Sequence, residues 1–208
     1  RSVALLGADY PGLRPVLQVA AGERVTQGQP LFHHRHDPAV AYTAPGTGTV
    51  TDILWGERRR LGAVVIALED EATGAALVDP LPAGSGGALV RARLQATGLW
   101  PAFRTRPYGL VPAADAEPAA IFVTAMDTAP LAGDPRLAIG RDPDGFRHGV
   151  TALATLTSGP VFACCAPGEP LPLPEALVAD GRVVAAEFTG PHPAGLPGTH
   201  MHHLFPAG

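Results

Sequence analysis

Glycine and proline fill nearly a quarter of the 208 residues, with 25 glycines and 23 prolines. Glycine favours turns and proline interrupts helices and central strands, so this density indicates many turns joining short elements. The two residue types are scattered without a period, which excludes a collagen-like chain. Hydrophobic residues (46%) and charged residues (16%) stand in the proportions of a globular protein rather than a disordered one.

The net charge and the longest apolar run limit the kinds of partner that the chain is expected to bind. A formal net charge of -4 offers no basic surface for nucleic acid and is unfavourable for binding anionic lipid. The longest apolar run, Leu61–Leu68, is far too short to span a bilayer. We therefore expect a soluble protein in which this run forms a buried strand. The chain begins without methionine and ends abruptly, so we expect it to be a piece of a longer polypeptide.

Lysine is absent, and all 15 basic residues are arginine. The turn HHRHDPAV, residues 33–40, lies where a biotin- or lipoyl-bearing domain would present its lysine, yet attachment of either cofactor needs a lysine amine. The same absence excludes a Schiff-base lysine and a P-loop lysine. We therefore interpret this turn as an exposed loop with no covalent cofactor.

The first third of the chain predicts an all-β domain. Turns are indicated at Gly22 and Gly28, and a hairpin whose tip carries Arg58, Arg59 and Arg60 precedes the strand Leu61–Leu68. Short strands with frequent turns are typical of a small barrel or sandwich.

The remainder of the chain alternates between helices and strands. A helix is predicted over Ala88–Thr97, ended by Gly98, and a proline-rich exposed crossing follows. Strands AAIFVTAM, GPVFACCA and RVVAAEF are separated by a helix with Asp142 or Asp144 as N-cap and by the short helix PLPEALVAD. This order indicates a parallel sheet with crossover helices. The domains are therefore predicted at residues 1–75 (β), 76–118 (connector) and 119–208 (α/β).

The cysteines and histidines show no standard spacing for a metal. Cys164 and Cys165 are adjacent, which strains a disulfide, so both are predicted to be buried in a strand of a protein from a reducing compartment. Histidines cluster at His33–His36 and at His200–His203, where His200 and His202 are predicted to face one side of a strand. Since HExxH and CxxC are absent, solvent-facing or hydrogen-bonded histidines are favoured over a metal site.

Longer strings indicate a family. SVALLGADYPGLRP, GERVTQGQPLF, TAPGTGTV, GLWPAFRTRP, AEPAAIFVTAMDTAPLAGDP and GPHPAGLPGTHMHHLFPAG, in this order, resemble the NqrA family of the sodium-translocating NADH:quinone oxidoreductase. The resemblance runs over essentially the whole chain. More distantly, the chain is similar to the C subunit of the Rnf complex and to the flavin-carrying subunit of respiratory complex I.

The resemblance implies a fold and a role. The fold is a biotinyl/lipoyl-like barrel sandwich followed by a Rossmann-like α/β domain, with a further β-grasp and C-terminal part lying outside this sequence. The role is that of a peripheral subunit with no cofactor of its own, on the cytoplasmic face of the bacterial inner membrane, which it is expected to reach only through its partner subunits. The other subunits would be its partners and would hold FAD, FMN, riboflavin and Fe-S centres for a complex that oxidises NADH and reduces quinone. Ubiquinone is a further candidate partner.

No catalytic residue is predicted, because the sequence has no GxSxG motif and no carboxylate pair. Arginine in FRTRP suits bidentate binding of carboxylate or phosphate, and AMDTAP is expected beyond the carboxyl end of a strand, where open α/β sheets bind ligands. The candidates for ligand or interface contact are the polar side chains of Arg104, Arg106, Asp127, Thr128, His192, Thr199 and His200. Two alternatives remain open at this point: a stand-alone quinone- or flavin-binding module, and a metal-binding module.

Overall fold

The computed structural model describes residues 1–69, 81–82, 84–168 and 170–206. It divides into two compact units: unit 1 comprises Arg1–Gly84 with Ala88–Ala116, and unit 2 comprises Ser85–Gly87 with Glu117–Gly208. Residues 70–80 and 83, which include the predicted boundary between the β domain and the connector, lie outside the described residues. The predicted domain boundaries therefore stay a prediction.

Unit 1 is built on two antiparallel sheets, as the turn-rich first third predicts. The strands are β1 (Ser2–Leu6), β2 (Pro15–Leu17), β3 (Arg24–Val25), β4 (Pro30–His34), β5 (Asp37–Thr43), β6 (Gly48–Trp55) and β7 (Leu61–Leu68). One sheet has the order β1-β7-β6-β3 and the other the order β2-β4-β5. Apolar side chains from both sheets are fully buried, among them Leu31, Phe32, Val50, Val64 and Ile66.

Glycine fixes the turns and one close approach of this unit. Gly22 and Gly28 take positive φ angles of 87° and 78°, which disfavour side chains with a Cβ. Their amides donate to Val50 O, in β6, and to Ala44 O, just after β5, both at 2.8 Å. The two turns are therefore hydrogen-bonded to later parts of unit 1. Gly48 lies so close to β7 that a Cβ would fall 2.1 Å from Ala67 O. Backbone conformation and close packing therefore explain why glycine occupies these positions in GERVTQGQ and TAPGTGTV.

Helix α1 (Gly87–Ala96) and the proline-rich crossing complete unit 1. Gly98 ends the helix with a φ of 77°, which confirms the predicted stop. Much of the crossing is exposed, as predicted, including residues 104–108, but its start is anchored: Trp100 is 3% exposed, and its Nε1 donates to Pro112 O at 2.9 Å. Gln95 Nε2 donates to Ala114 O at 2.6 Å. The backbone of the crossing forms few regular hydrogen bonds. Donors from the side chains of Gln95 and Trp100 therefore satisfy two of its carbonyl groups.

Unit 2 contains the predicted parallel sheet. Its strands are β8 (Ile121–Thr124), β9 (Val161–Cys165) and β10 (Val183–Glu187), and its helices are α2 (Pro135–Arg141), α3 (Pro143–Ala154), α4 (Glu175–Ala179) and α5 (Pro197–Leu204). The strand order is β10-β9-β8, with β9 in the centre. All three carboxyl ends therefore lie at one edge of the sheet. Throughout the described part of the chain, no helix has the length and apolar character needed to cross a bilayer.

The central strand explains the paired cysteines. All five residues of β9 are buried, including Cys164 and Cys165, which are free thiols. Burial raises the pKa of Cys164 to about 12, so this thiol stays protonated at neutral pH. The expectation of two small buried side chains is confirmed, and neither cysteine has the character of a reactive thiolate.

Two aspartates start consecutive helices. Asp142 accepts a hydrogen bond from Gly145 N at 2.8 Å and is the N-cap of α3, which decides between the two candidates. Asp134 caps α2 in the same way through Arg136 N at 2.9 Å. Helix α2 was not predicted from the sequence, although Asp-Pro at N-cap and N1 is the usual start signal, because it has only seven residues and no apolar stripe.

Candidate functional site

The loops that follow β8 and β10 meet at the carboxyl edge of the unit 2 sheet. Ala125 N continues the pairing beyond β8 by donating to Cys164 O at 2.7 Å, and Phe188 N donates to Cys165 O at 2.9 Å. Ala125 and Met126 are buried, whereas Asp127 is exposed. The loop AMDTAP therefore starts where open α/β sheets bind ligands, as predicted.

Thr128 joins this loop to the segment that follows β10. Its Oγ1 lies 3.3 Å from His192 Nδ1 and accepts a hydrogen bond from Gly195 N at 2.9 Å. Gly195 is buried, and a Cβ there would lie 2.6 Å from Thr128 N and 3.0 Å from Asp127 C. The two loops are thus in direct backbone contact, and only glycine fits at position 195.

Helix α5 fastens the same segment from its other side. Thr199 Oγ1 donates to Pro193 O at 2.9 Å, and His200 Nε2 lies 2.9 Å from Ala194 O. We call the set Thr128, His192, Gly195, Thr199 and His200 the loop clamp. It brings together four of the candidates predicted from sequence, with Asp127 beside it.

His200 is the most constrained member of the loop clamp. Its side chain is fully buried, and the Phe188 ring lies 4.3 Å from the imidazole, centroid to centroid. With Nε2 donating to Ala194 O, Nδ1 is left as a buried nitrogen without a hydrogen-bond partner in the described part of the chain. Burial lowers the pKa of His200, and the hydrogen bond to Ala194 opposes this only in part. The imidazole is therefore neutral at pH 7.

The predicted strand at His200 and His202 is wrong. Both residues belong to α5, which starts with Pro197 at its first turn. Residues two apart in a helix point in different directions, so His200 is buried while His202 and His203 are exposed. Across the described residues no group of three His, Cys, Asp or Glu side chains is arranged to hold a metal ion.

Asp127 and His192 are the exposed polar groups at this edge. Asp127 Oδ1 accepts a hydrogen bond from Ala129 N at 2.8 Å, so one carboxylate oxygen is used by the turn of its own loop. His192 uses Nδ1 toward Thr128 and keeps Nε2 for other contacts. The arrangement can offer hydrogen bonds to a partner, but the Thr128 hydroxyl is already engaged and is not placed as a nucleophile.

The arginines of FRTRP belong to unit 1, whereas the loop clamp belongs to unit 2. The Arg104 guanidinium donates to the carbonyls of Pro101, Phe103 (2.9 Å) and Asp9 (3.2 Å), and lies 5.8 Å from the centre of the Tyr10 ring. The Arg104 guanidinium therefore stabilises the proline-rich crossing and is not available to bind a ligand. Arg106 is exposed and makes no hydrogen bond or ion pair within the described residues.

Unit 1 contains a cleft of about 200 Å³ that was not predicted from the sequence. Its walls include Tyr10, Leu13, Tyr42 and Leu110, and the pair His34–Asp37 lies at its polar end, with Nδ1 and Oδ2 4.0 Å apart. Burial raises the pKa of Tyr42 to about 12. The lining residues come from segments far apart in sequence, so no local motif announces the cleft. His34 and Asp37 flank the turn of the β4–β5 hairpin.

The two units define a class of protein, a barrel-sandwich hybrid domain followed by an α/β domain, and comparison with known families agrees. The model of the NqrA N-terminal barrel-sandwich hybrid domain matches residues 1–69, and that of the NqrA second alpha/beta domain matches residues 86–208.

Curated relatives name the family. The chain is 48% identical over 211 residues to the A subunit of the Na(+)-translocating NADH-quinone reductase of Pseudomonas aeruginosa UCBPP-PA14, covering 100% of this chain and 46% of the relative. It is 46% identical over 210 residues to the corresponding protein of Rhodopirellula baltica, covering 99% of this chain and 45% of the relative. The chain therefore belongs to the NqrA family of the Na(+)-translocating NADH-quinone reductase, and it spans less than half the length of these relatives.

Proposed function

We propose that the chain acts as a peripheral, cofactor-free part of the NqrA protein in a sodium-translocating NADH-quinone reductase. Its role is to dock on the other subunits at the cytoplasmic face of the membrane and to contribute to the surroundings of the quinone. It has no catalytic activity of its own. The relatives are named as subunits of such a reductase, which supports a place in a multi-subunit complex.

The observation that carries the cofactor-free role is the loop clamp. Open α/β sheets bind ligands in the crevice beyond the carboxyl ends of their strands. Here Gly195 packs directly on the backbone of Asp127 and Thr128 at this edge, and the Thr128 hydroxyl accepts the Gly195 amide. Protein atoms thus occupy space that a nucleotide would need. The loop after β8 also lacks the glycine-rich turn that cradles a phosphate.

Arg106 provides the test of docking. Replacing Arg106 by alanine in the full-length protein, expressed with its partner subunits, should lower their recovery by about tenfold, the effect of losing a contact of about 1.4 kcal/mol. The guanidinium is exposed and uncommitted within the described residues, so the fold should not change. Co-purification followed by quantitative gel analysis measures the effect.

Arg14→Ala is the matched control, because Arg14 is another exposed arginine of unit 1. Equal recovery of partner subunits with both variants would remove Arg106 from the docking surface. Arg104→Ala is unsuitable as a docking test, since its guanidinium holds the proline-rich crossing and its loss should alter the fold.

The cleft in unit 1 favours a second candidate function, a module that binds a quinone or flavin without partners. Its apolar and aromatic walls with one polar end are typical of small-molecule sites, but about 200 Å³ is below the roughly 300–1,000 Å³ of most such pockets. It has room for a single ring system and not for a flavin nucleotide. The small volume therefore argues against a flavin nucleotide in this cleft, whereas a single-ring quinone headgroup would fit.

A visible absorption spectrum tests whether the chain binds a flavin. We expect the chain, purified without added cofactor, to show protein absorbance only. A flavin band that persists through gel filtration and disappears on denaturation and desalting would establish the module instead and would contradict a filled carboxyl edge. Free flavin added and then removed by desalting provides the control for adventitious carry-over.

A further inference from the structure

The outer face of the four-stranded sheet carries exposed apolar side chains near the β6–β7 hairpin. Leu6 on β1 and Leu54 on β6 both pair with Ala63 on β7. Residues directly opposite in a sheet share a face, so the two leucines flank the small Ala63 side chain. Leu6 is 46% exposed and Leu54 51% exposed, whereas Ala63 is 6% exposed. The leucines therefore present an uncovered apolar surface.

Trp55 extends this surface toward the hairpin tip. It ends β6, lies opposite Leu61 after a register shift, and is 50% exposed. Such shifts re-aim side chains near the ends of strands. Grouped large apolar residues on a protein surface mark interaction sites, whereas isolated ones do not. We call Leu6, Leu54, Trp55, Arg58, Arg59 and Arg60 the apolar–arginine surface.

The hairpin tip keeps arginine where the backbone disfavours it. Arg58 and Arg59 have φ angles of 55° and 57°, in the left-handed region that favours glycine and asparagine. Hydrogen bonds from Gly56 N to Arg60 O (2.8 Å) and from Arg60 N to Glu57 O (3.2 Å) close the loop around them. Two arginines in an unfavourable backbone conformation therefore lie at the exposed tip of the hairpin.

The three guanidiniums at the tip are uncommitted. Arg58, Arg59 and Arg60 are exposed and make no side-chain hydrogen bond or ion pair within the described residues, even though Asp52 and Glu57 lie on the same hairpin. The whole chain has a formal charge of -4. Its net charge therefore conceals a local cluster of cations, and an average over the chain does not describe what this hairpin attracts.

We propose that the apolar–arginine surface contacts the headgroup layer of an anionic lipid membrane. Guanidiniums bind phosphate oxygens in a bidentate manner, and the indole and leucine side chains enter the boundary between headgroups and acyl chains. Six side chains are too few for a specific protein interface, which needs about 800 Å² on each partner. The free energy of binding to a bilayer is instead the sum of separate contributions from each cation and each buried apolar group.

Vesicle binding of the full chain tests this surface, with or without other subunits. We expect the chain to co-float with vesicles of equal parts phosphatidylglycerol and phosphatidylcholine and not with phosphatidylcholine alone. Trp55 emission should shift to shorter wavelength on binding. The only other tryptophan, Trp100, is 3% exposed and hydrogen-bonded, so it should not respond. High salt should reverse the binding, because it screens the arginines.

Arg58→Asn with Arg59→Asn is the decisive variant, since asparagine tolerates left-handed backbone and removes only the charge. Because each arginine near an anionic surface contributes about 1 kcal/mol, affinity for the anionic vesicles should fall about 30-fold. Arg14→Asn with Arg35→Asn makes the same change of net charge elsewhere on unit 1 and should bind like the parent. Equal losses in both variants would overturn the proposal.

Two further outcomes would also overturn it. Failure of the parent chain to co-float with anionic vesicles at low salt is the first. The second is a shift of Trp55 emission with polyglutamate but not with vesicles, which would assign the surface to an acidic polypeptide. Neither result depends on whether the chain docks on reductase subunits, so the docking role and the membrane contact fail independently.

Discussion

Replacing Gly195 by valine is expected to lower the free energy of unfolding of unit 2 by about 3 kcal/mol, the upper part of the range for overpacked sites. A Cβ at this position would lie 2.6 Å from Thr128 N and 3.0 Å from Asp127 C, and both are backbone atoms that cannot rotate away. The amide of residue 195 would also lose its bond to Thr128 Oγ1 if the loops separated. The loop clamp therefore has to open to admit any side chain.

Guanidinium denaturation followed by far-ultraviolet circular dichroism measures this loss. Tryptophan fluorescence, recorded in parallel, reports unit 1 because both tryptophans lie there. Gly198→Ala is the matched control: it lies three residues away in α5, and a Cβ there meets no atom within 4 Å. Alanine should leave stability unchanged or raise it, since glycine is the poorer helix former. A valine variant as stable as the parent would show that the two loops are not in contact.

The elements that could be predicted from sequence are those with a local cause. Strand Leu61–Leu68 has the predicted bounds because it is a short apolar run flanked by charged residues, a pattern typical of a buried strand. Gly98 and Asp142 end and begin helices through interactions with their own neighbours, so their roles follow from residue type and position. The alternation of strand and helix after residue 119 likewise required the parallel sheet.

The site could be predicted only in part, because its contacts are not local. AMDTAP was expected at the carboxyl edge from strand position alone, and it lies there. The contact between Thr128 and His192 joins residues 64 positions apart, and no spacing rule encodes it. Arg104 satisfies backbone carbonyls, which carry no residue-specific signal. The cleft at His34 and Asp37 depends in the same way on residues brought together by the tertiary fold.

His200 was misplaced for a related reason. Two histidines separated by one residue suit the face of a strand, but Pro197 and the hydrogen bond from His200 N to Leu196 O favour a helical turn here. Burial of the imidazole then depends on Phe188 and Ala194, which belong to the segment before α5. The spacing of the histidines identified polar side chains that could make contacts, but it did not show that His200 is the buried one.

Replacing His200 by alanine is expected to lower the free energy of unfolding by about 3 kcal/mol at about pH 8, through the lost packing of a fully buried ring and the lost bond to Ala194 O. Burial lowers the pKa of His200 in the folded protein, so between the folded value and the ordinary value of 6.5 the unfolded chain binds more protons. The contribution of His200 is therefore complete above about pH 6.5. It declines as the pH falls toward the folded pKa, by up to about 1.4 kcal/mol per pH unit.

The difference in stability between parent and His200→Ala should thus be largest near neutral or alkaline pH and smaller at about pH 5. Chemical denaturation of both proteins across this range measures it, and effects of the other histidines cancel in the difference. His202→Ala is the control on the same helix, because His202 is exposed and should change stability little at any pH. A difference that grows on acidification would mean that the protonated imidazole has a partner at Nδ1. The loop clamp would then be held by a charge rather than by a buried neutral ring.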